Sequence, residues 1–510
     1  MRLYNRGPEG FRSLHVGEQA TLGFTRLAIN GLHEGGMQPM THSGVHWICN
    51  GELYNWKELT GRLGLTCDAS GDCAVIGSLW TNFRSTPDAF FRALDGVFAI
   101  VIVDEQTGLT TVGRDPYGVR PLFYKKGSNS LQFASEMKAL VTGEGETILP
   151  FRPGCYKQYI TATGEEVVAT VYHTVPWLKN PTLDLTESLK AVHDTLVAAV
   201  QKRLMTERPV AALLSGGLDS SLIASLVQRE LKRLGRPPLE TYTVGFEGSP
   251  DVLYARKVAK WIGSNHTEIV VTPDEFFAVI PDVVRDIESY DITSVRASVG
   301  NWFISREICK RSQAKVIFNG DGSDEVFGSY LYFFRAPDDE SYEHEVGRLL
   351  RDIHRYDVLR SDRCISSHGL EPRTPFLDKQ FVNAVRSVPT KWLRPIKGAL
   401  CEKWLLRTAF ECDGLLPNDV LWRQKEAFSD GVSGIKKSWY QEIQERIGNY
   451  EVARSYSHLT PITSESAFYR DIFHSHYGLE GQKVIEYFWM PKWSGETKDP
   501  SARTLHLYSP

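Results

Sequence analysis

The sequence predicts an α/β protein of two domains. Three observations carry that reading. Up to about residue 165 the chain reads as short strands separated by glycine-bearing turns. From Val210 onward, strand and helix patterns alternate, as in a parallel sheet with helices on both faces. And 510 residues exceed what one hydrophobic core usually holds, so two or three domains are expected.

The elements follow in order. "HWICNGELYN", "GVFAIVIVDEQTGLTTVGRD" and "PLFYKKGSNSLQFAS" alternate as strands of a β-rich first domain, interrupted by helical stretches near Trp56–Leu63 and Cys73–Phe83. "TVPWLKNP" (Thr174–Pro181) reads as a linker, which places domains at 1–170 and 185–510. "DLTESLKAVHDTLVAAVQKRLM" has helical apolar spacing. Then come strand "PVAALL", helix "SSLIASLVQRELKRL", strand "LETYTVGF", helix "PDVLYARKVAKWIG" and strand "HTEIVVT", a βαβαβ run. A further strand, "KVIFNG", precedes the turn "DGSDE", and the pattern is mostly helical from Glu340.

Composition excludes several classes. A net charge of −4 is no footprint for a polyanion partner. The longest apolar run, Val97–Val103, is far too short to span a membrane. Eight cysteines without a C-x-x-C pair point to a reduced, cytoplasmic setting rather than a disulfide framework or zinc site. His42 with His46, and His474 with His476, lack a clustered third ligand type, so surface or core roles fit them better.

The chemistry begins at "ALLSGGLDSSLIASL" (residues 212–226). This loop lies between a strand and a helix, at the carboxyl edge where α/β sheets bind ligands. Gly216 and Gly217 let backbone approach a ligand, amides at the helix start favour an anion, and Ser215, Ser220 and Ser221 add hydroxyls. A carboxylate, Asp219, facing phosphate implies an intervening Mg2+. Taken alone, Asp219 could simply cap the helix. The absence of G-x-x-x-x-G-K-[ST] excludes a Walker loop.

The motif resembles the pyrophosphate-binding loop of ATP pyrophosphatases. "RGPEG", "TRLAI", "NGELYN", "LDGVFA" and "GRDPYGVRPLFY" resemble the glutaminase domain of the asparagine synthetase family. "SYDITSVRAS", "GDGSDEVFGSY", "RTPFLD" and "RQKEAFSDG" resemble its synthetase domain, and "WMPKW" with "DPSARTL" its animal-type members. The resemblance spans nearly every residue from Asn5 onward. It implies an Ntn-type α+β glutaminase domain followed by a parallel-sheet ATP-pyrophosphatase domain. The implied reaction starts with attack of aspartate's side-chain carboxylate on the α-phosphorus of ATP. β-Aspartyl-AMP and pyrophosphate form, and ammonia from glutamine, delivered through an internal tunnel, then displaces AMP.

Residue roles carried by the resemblance are these. Ser215, Gly216, Gly217, Asp219 and Ser220 hold the pyrophosphate half of ATP, and Leu213, Val244, Asn319 and Gly320 contact the nucleotide. Asp219 and Asp324 hold Mg2+. Lys425 stabilises phosphate charge, and Arg296, assisted by Thr293, clamps a carboxylate of aspartate. Asp321 stands where the family often has Glu, one methylene longer, and is expected to orient substrate or move protons on ammonia. In the first domain Arg26, Leu27, Ala28, Ile29 and Asn30, with Asn50, Gly51, Glu52 and Asp72, form the glutamine pocket. Arg26 grips the α-carboxylate, Asn50 and Gly51 donate to the oxyanion, and Asp72 pairs with the α-amine. Ala74 replaces a usual acid.

The family opens Met-Cys-Gly, and its terminal cysteine attacks the amide with its own α-amine as base. Here the chain opens "MRLYNRGPEG", and Cys49, Cys67 and Cys73 are internal. The resemblance therefore implies an incomplete first domain and, for the chain as written, synthesis from free ammonia. Substrates are small molecules only, with no nucleic acid or membrane partner, and a homodimer is left open. Two alternatives stay open: a related adenylating, β-lactam-forming synthetase, and an inactive paralogue.

Overall fold

The computed structural model describes residues 2–65, 71–128, 130–143, 145–177, 181–425, 437–452, 454–495 and 497–501. Cys67, residues 178–180 of the linker, residues 426–431 of "RQKEAFSDG" and residues 502–505 of "DPSARTL" lie outside the described residues.

In the first part, an antiparallel sheet runs in the order Glu166–Val171, Cys155–Ile160, Leu109–Arg114, Gly96–Asp104, Val45–Leu53, Met40–His42. Its central strands are buried on both faces. Trp47, Cys49, Phe98, Ile100 and Ile102 pack against helices Trp56–Leu63, Val75–Phe83 and Pro87–Ala93. Ala99, Val101, Val103 and Val112 point to the other side, toward the hairpin Phe11–Val16/Ala20–Thr25. The helix Pro87–Ala93 is one that periodicity missed. Seven residues starting with a proline at its first position give too few turns to show a pattern.

The second part carries a five-stranded, wholly parallel sheet. Its order is Asn265–Val270, Glu240–Gly245, Val210–Leu213, Val316–Phe318, Glu371–Arg373. Helix Leu185–Arg203 precedes it, started by a reciprocal capping box between Asp184 and Glu187. Helix Leu218–Arg233 buries Leu218, Leu222 and Leu226 on one face, at the i, i+4, i+8 spacing expected of a packed helix. The last strand, Glu371–Arg373, lies inside the region expected to be helical. It is three residues long, contains Pro372 and sits at the sheet edge, where a missing amide is tolerated. Strand order reverses around Val210–Leu213, so the serine loop leaves the sheet at a topological switch point.

A buried ionic seam joins the two parts. Arg6 pairs with Asp362 and Glu136, Arg120 with Asp362 and Glu371, and Arg373 with Glu52 and Glu371. Among the described residues no helix is long and apolar enough to cross a membrane.

Candidate active site

The serine loop is shaped by its own hydroxyls. The Ser215 amide donates to Ser220 Oγ at 3.1 Å, the two hydroxyls are 2.9 Å apart, and the Gly217 amide donates to Ser215 Oγ at 3.3 Å. Gly216 has φ +75°, and a Cβ there would come within 2.5 Å of the Ala255 amide nitrogen. Gly216→Ala is therefore expected to cost about 2 kcal/mol, from the left-handed backbone plus the clash, readable as a lower urea midpoint. Gly320, which follows the neighbouring strand, is constrained by crowding alone. A Cβ on it would lie 2.8 Å from the Ser220 nitrogen, so the two loops touch backbone to backbone.

The loops enclose a cleft of about 240 Å3. Leu213, Ser215, Gly217, Asp219, Ser220, Val244, Asn319 and Gly320 line it, as do Thr293, Asp321, Asp324 and Lys425. Gly216 sits behind the wall, its carbonyl accepting from Arg423 at 3.1 Å. Ser221 is buried in the helix and does not line the cleft.

Arg296 requires a correction. Its guanidinium faces away from the cleft, buried against Glu465 and Asp499. Nε donates to Glu465 at 2.7 Å, and Nη1 and Nη2 donate to the two Asp499 oxygens at 2.9 Å each. Its fork is engaged by two carboxylates from the C-terminal segments, and it does not line the cleft. The arginines in the cleft wall are Arg360, Arg407 and Arg423. Arg360 donates to Asp357 at 2.8 Å and to Asp321 at 3.3 Å.

The electrostatic centre is a cluster of four charged groups and one hydroxyl. Ser323 Oγ donates to Asp219 Oδ1 at 2.9 Å. Lys403 Nζ lies 2.5 Å from Asp219 Oδ2 and 2.7 Å from Asp324 Oδ1, and Lys425 Nζ lies 2.5 Å from Asp324 Oδ2. Burial alone would push the Asp324 carboxyl up, but the two ammoniums outweigh it and hold the group well below the usual range. Sequence reasoning missed Lys403. It is 184 residues from Asp219, and nothing local in "CEKWLL" marks it.

Asp321 is different. Burial pushes its carboxyl up, only partly opposed by Arg360, and its Oδ2 has no hydrogen-bond partner. The Thr293 hydroxyl is also buried and unpartnered at the cleft. The inner wall adds Glu325, Tyr330 and Asp357, with the Tyr330 hydroxyl donating to Glu325 at 2.7 Å.

The carboxylates suit a hard cation. A cation already bridges Asp219 and Asp324, in the form of an ammonium. Among the described residues no group of three or more His, Cys, Asp or Glu forms an all-protein cage. Two carboxylates completed by substrate phosphates is how Mg2+ is usually held.

A second cavity, about 650 Å3, lies in the first part. Arg26, Leu27, Ala28, Ile29 and Asn30 line it, with Asn50, Gly51, Glu52 and Asp72 opposite. Arg26 Nη1 donates to the His33 carbonyl at 3.1 Å, and Nη2 donates to that of Gly31; burial lowers its pKa. Gly51 leaves room for nothing larger, since a Cβ would sit 2.0 Å from the Val97 carbonyl. Asn30 donates to Glu52 at 2.7 Å. Asp72 accepts from the Leu53 amide at 2.7 Å, yet burial still pushes it up to about 6. Cys49 and Cys73 line the same cavity as buried thiols. Contact with Cys49, then burial, pushes the Cys73 thiol well up. The cavity wall also includes Ser366, Leu370, Glu371 and Pro372 from the second part.

Comparison with known proteins gives the family. Residues 191–347 and 336–495 match "Asparagine synthase", and residues 1–191 match "Glutamine amidotransferase domain". The chain is 38% identical to the glutamine-hydrolysing asparagine synthetase of Gallus gallus, covering 100% of this chain and 95% of that one. It is 39% identical to those of Mus musculus and Homo sapiens, with the same coverage. Family match and full-length relatives agree with the two-part α/β architecture and its serine-loop cleft: the chain belongs to the asparagine synthase family, the glutamine-hydrolysing ligases that carry an amidotransferase domain ahead of the synthetase domain.

Proposed function

We propose that the chain forms asparagine from aspartate in an ATP-dependent reaction, with unit 185–510 activating aspartate and unit 1–170 serving as the amidotransferase. The observation that carries this is the convergence of the serine loop, Asp219, Asp324 and Lys425 on one sheet edge within one cleft. Ser215, Ser220 and the amides at the start of helix Leu218–Arg233 bind the pyrophosphate half. Asp219 and Asp324 would hold Mg2+, which would supply positive charge against the phosphates. Lys425 stays at the phosphates, where charge grows as the leaving group departs. Leu213, Val244, Asn319 and Gly320 flank the nucleotide. The unpartnered Thr293 hydroxyl receives aspartate, and the unpartnered Asp321 oxygen accepts a hydrogen bond from incoming ammonia.

The test is pyrophosphate release with ATP and Mg2+, with and without aspartate. Release that ignores aspartate would sink the reading and favour a related adenylating synthetase. No release would favour an inactive paralogue.

Nitrogen source is a separate reading. Cys49 and Cys73 are mid-chain and buried, without an α-amine to act as base, so neither supplies the amide-attacking nucleophile by the family's mechanism. We infer that neither of these two thiols hydrolyses glutamine. Loss of glutamine-dependent asparagine formation in a folded Cys49→Ala or Cys73→Ala protein would overturn this.

The glutamine pocket makes its own prediction. Asp72 must be ionised to pair with glutamine's α-ammonium, and it loses its charge as pH falls through about 6. Glutamine affinity, measured by calorimetry between pH 5 and 8, is expected to be constant above about 7 and to fall roughly tenfold per unit well below 6. A flat profile would remove Asp72 from that role.

A further inference from the structure

Every oxygen of the two cleft carboxylates already has a partner. Asp219 accepts from Ser323 through Oδ1 and pairs with Lys403 through Oδ2. Asp324 accepts from Ser329 and pairs with Lys403 through Oδ1, and meets Lys425 through Oδ2. Lys403 is thus the bridge between them, and its side chain is only 2% exposed. Its backbone is unusual as well. It has φ +54° and ψ +27°, a left-handed conformation uncommon outside glycine, at the start of helix Trp404–Ala409. Such backbone persists where the surroundings over-determine it, and it clusters at functional sites. Beside it, Glu402 is held by Arg407 at 2.7 Å and by the Lys425 amide at 3.0 Å, which fixes the segment that aims the lysine.

An ammonium bridging these two carboxylates and a divalent cation held between the same pair compete for one position and repel each other. We propose that Lys403 is a placeholder for the divalent cation. In the nucleotide-free cleft its ammonium keeps Asp219 and Asp324 at cation spacing, and it yields that place only when the metal arrives with a triphosphate. The inference rests on reading the cleft as an ATP site.

The asymmetry is in what the displaced ammonium gains. Metal alone would push a buried ammonium off two carboxylates and offer it no anion in return. Metal carried on a polyphosphate brings oxygens to which Lys403 can swing. Metal and nucleotide therefore bind with positive coupling, and by linkage each raises the other's affinity equally. Lys403 is in this sense a positioning residue: it pre-sets the metal ligands and prevents unproductive loading by metal alone.

The test uses Mn2+ binding followed by electron paramagnetic resonance, with the α,β-methylene analogue of ATP as nucleotide. Wild-type protein is expected to bind free Mn2+ at least tenfold more weakly than Lys403→Met, which leaves the carboxylate pair to the metal. With the analogue present the order should reverse, with Lys403→Met binding metal and nucleotide together at least tenfold more weakly than wild type. Thermal unfolding gives a second readout that needs no variant. Mn2+ alone should barely move the wild-type Tm, whereas Mn2+ with the analogue should raise it clearly. Tight binding of free Mn2+ by wild type, or no tightening in a folded Lys403→Met protein, overturns the placeholder. Asp219→Asn separates the two readings. If it leaves metal–nucleotide binding intact, the ATP-site reading fails. If it abolishes that binding while Lys403→Met gains nothing for free Mn2+, only the placeholder fails.

Discussion

Asp219→Asn is expected to lower aspartate-dependent pyrophosphate release on the order of 10²- to 10³-fold, the loss typical when one preorganised electrostatic group is removed from a reacting centre. The side chain sits in the first turn of helix Leu218–Arg233, directly opposite Asp324 across two adjacent parallel strands. Asparagine keeps the shape and can still accept from Ser323, so the fold should survive. What is lost is one of two negative charges on which a cation between enzyme and phosphates depends. Lys403 keeps Asp324 as its partner, so no buried ammonium is stranded. Pyrophosphate release in a coupled assay, beside near-ultraviolet circular dichroism for the fold, decides the matter. Release at the wild-type rate would remove Asp219 from the site.

Arg296→Met should act on stability, with an expected loss of about 3–5 kcal/mol, because it leaves Glu465 as a buried carboxylate without its countercharge. The guanidinium ties helix Ile292–Arg311 to helix Ser464–Tyr477 and to Asp499 near the chain's end. Tyr469 donates to Glu465 at 2.9 Å and Gln444 to Asp499 at 2.7 Å, so the arginine is the sole charge compensation in a wider hydrogen-bonded cluster among the described residues. Urea denaturation reads the loss as a lower midpoint. Steady-state kinetics on the folded variant should show a KM for aspartate close to wild type. A selective rise in that KM, without loss of stability, would restore the arginine to the substrate.

The two residues show where local sequence stops being informative. Asp219 was legible because its neighbours dictate its setting. An apolar strand, two glycines and an amphipathic helix define a loop whose position at the sheet's carboxyl edge follows from chain geometry. Arg296 also sits in a recognisable motif, but the motif gives only its place on a helix. Its side chain's direction is set by Glu465 and Asp499, 169 and 203 residues away. The three-residue strand Glu371–Arg373 was missed for a related reason. It has no periodicity of its own and exists because Val316–Phe318 offers an open edge to pair with.

The sequence by itself determined the α/β class, the parallel run of strands, the serine loop and the family's set of polar residues. Each of these depends on neighbours within a turn or two, or on motifs whose spacing is local. Only the tertiary structure decided which of those groups face the same space. It brought Asp219, Asp324, Lys403 and Lys425 within ion-pair distance, left an oxygen of Asp321 and the Thr293 hydroxyl without partners, and turned Arg296 away. The physical reason is that a charge takes its effect from what lies within a few ångströms, and in a parallel sheet with long crossovers those neighbours come from chain segments far apart in sequence.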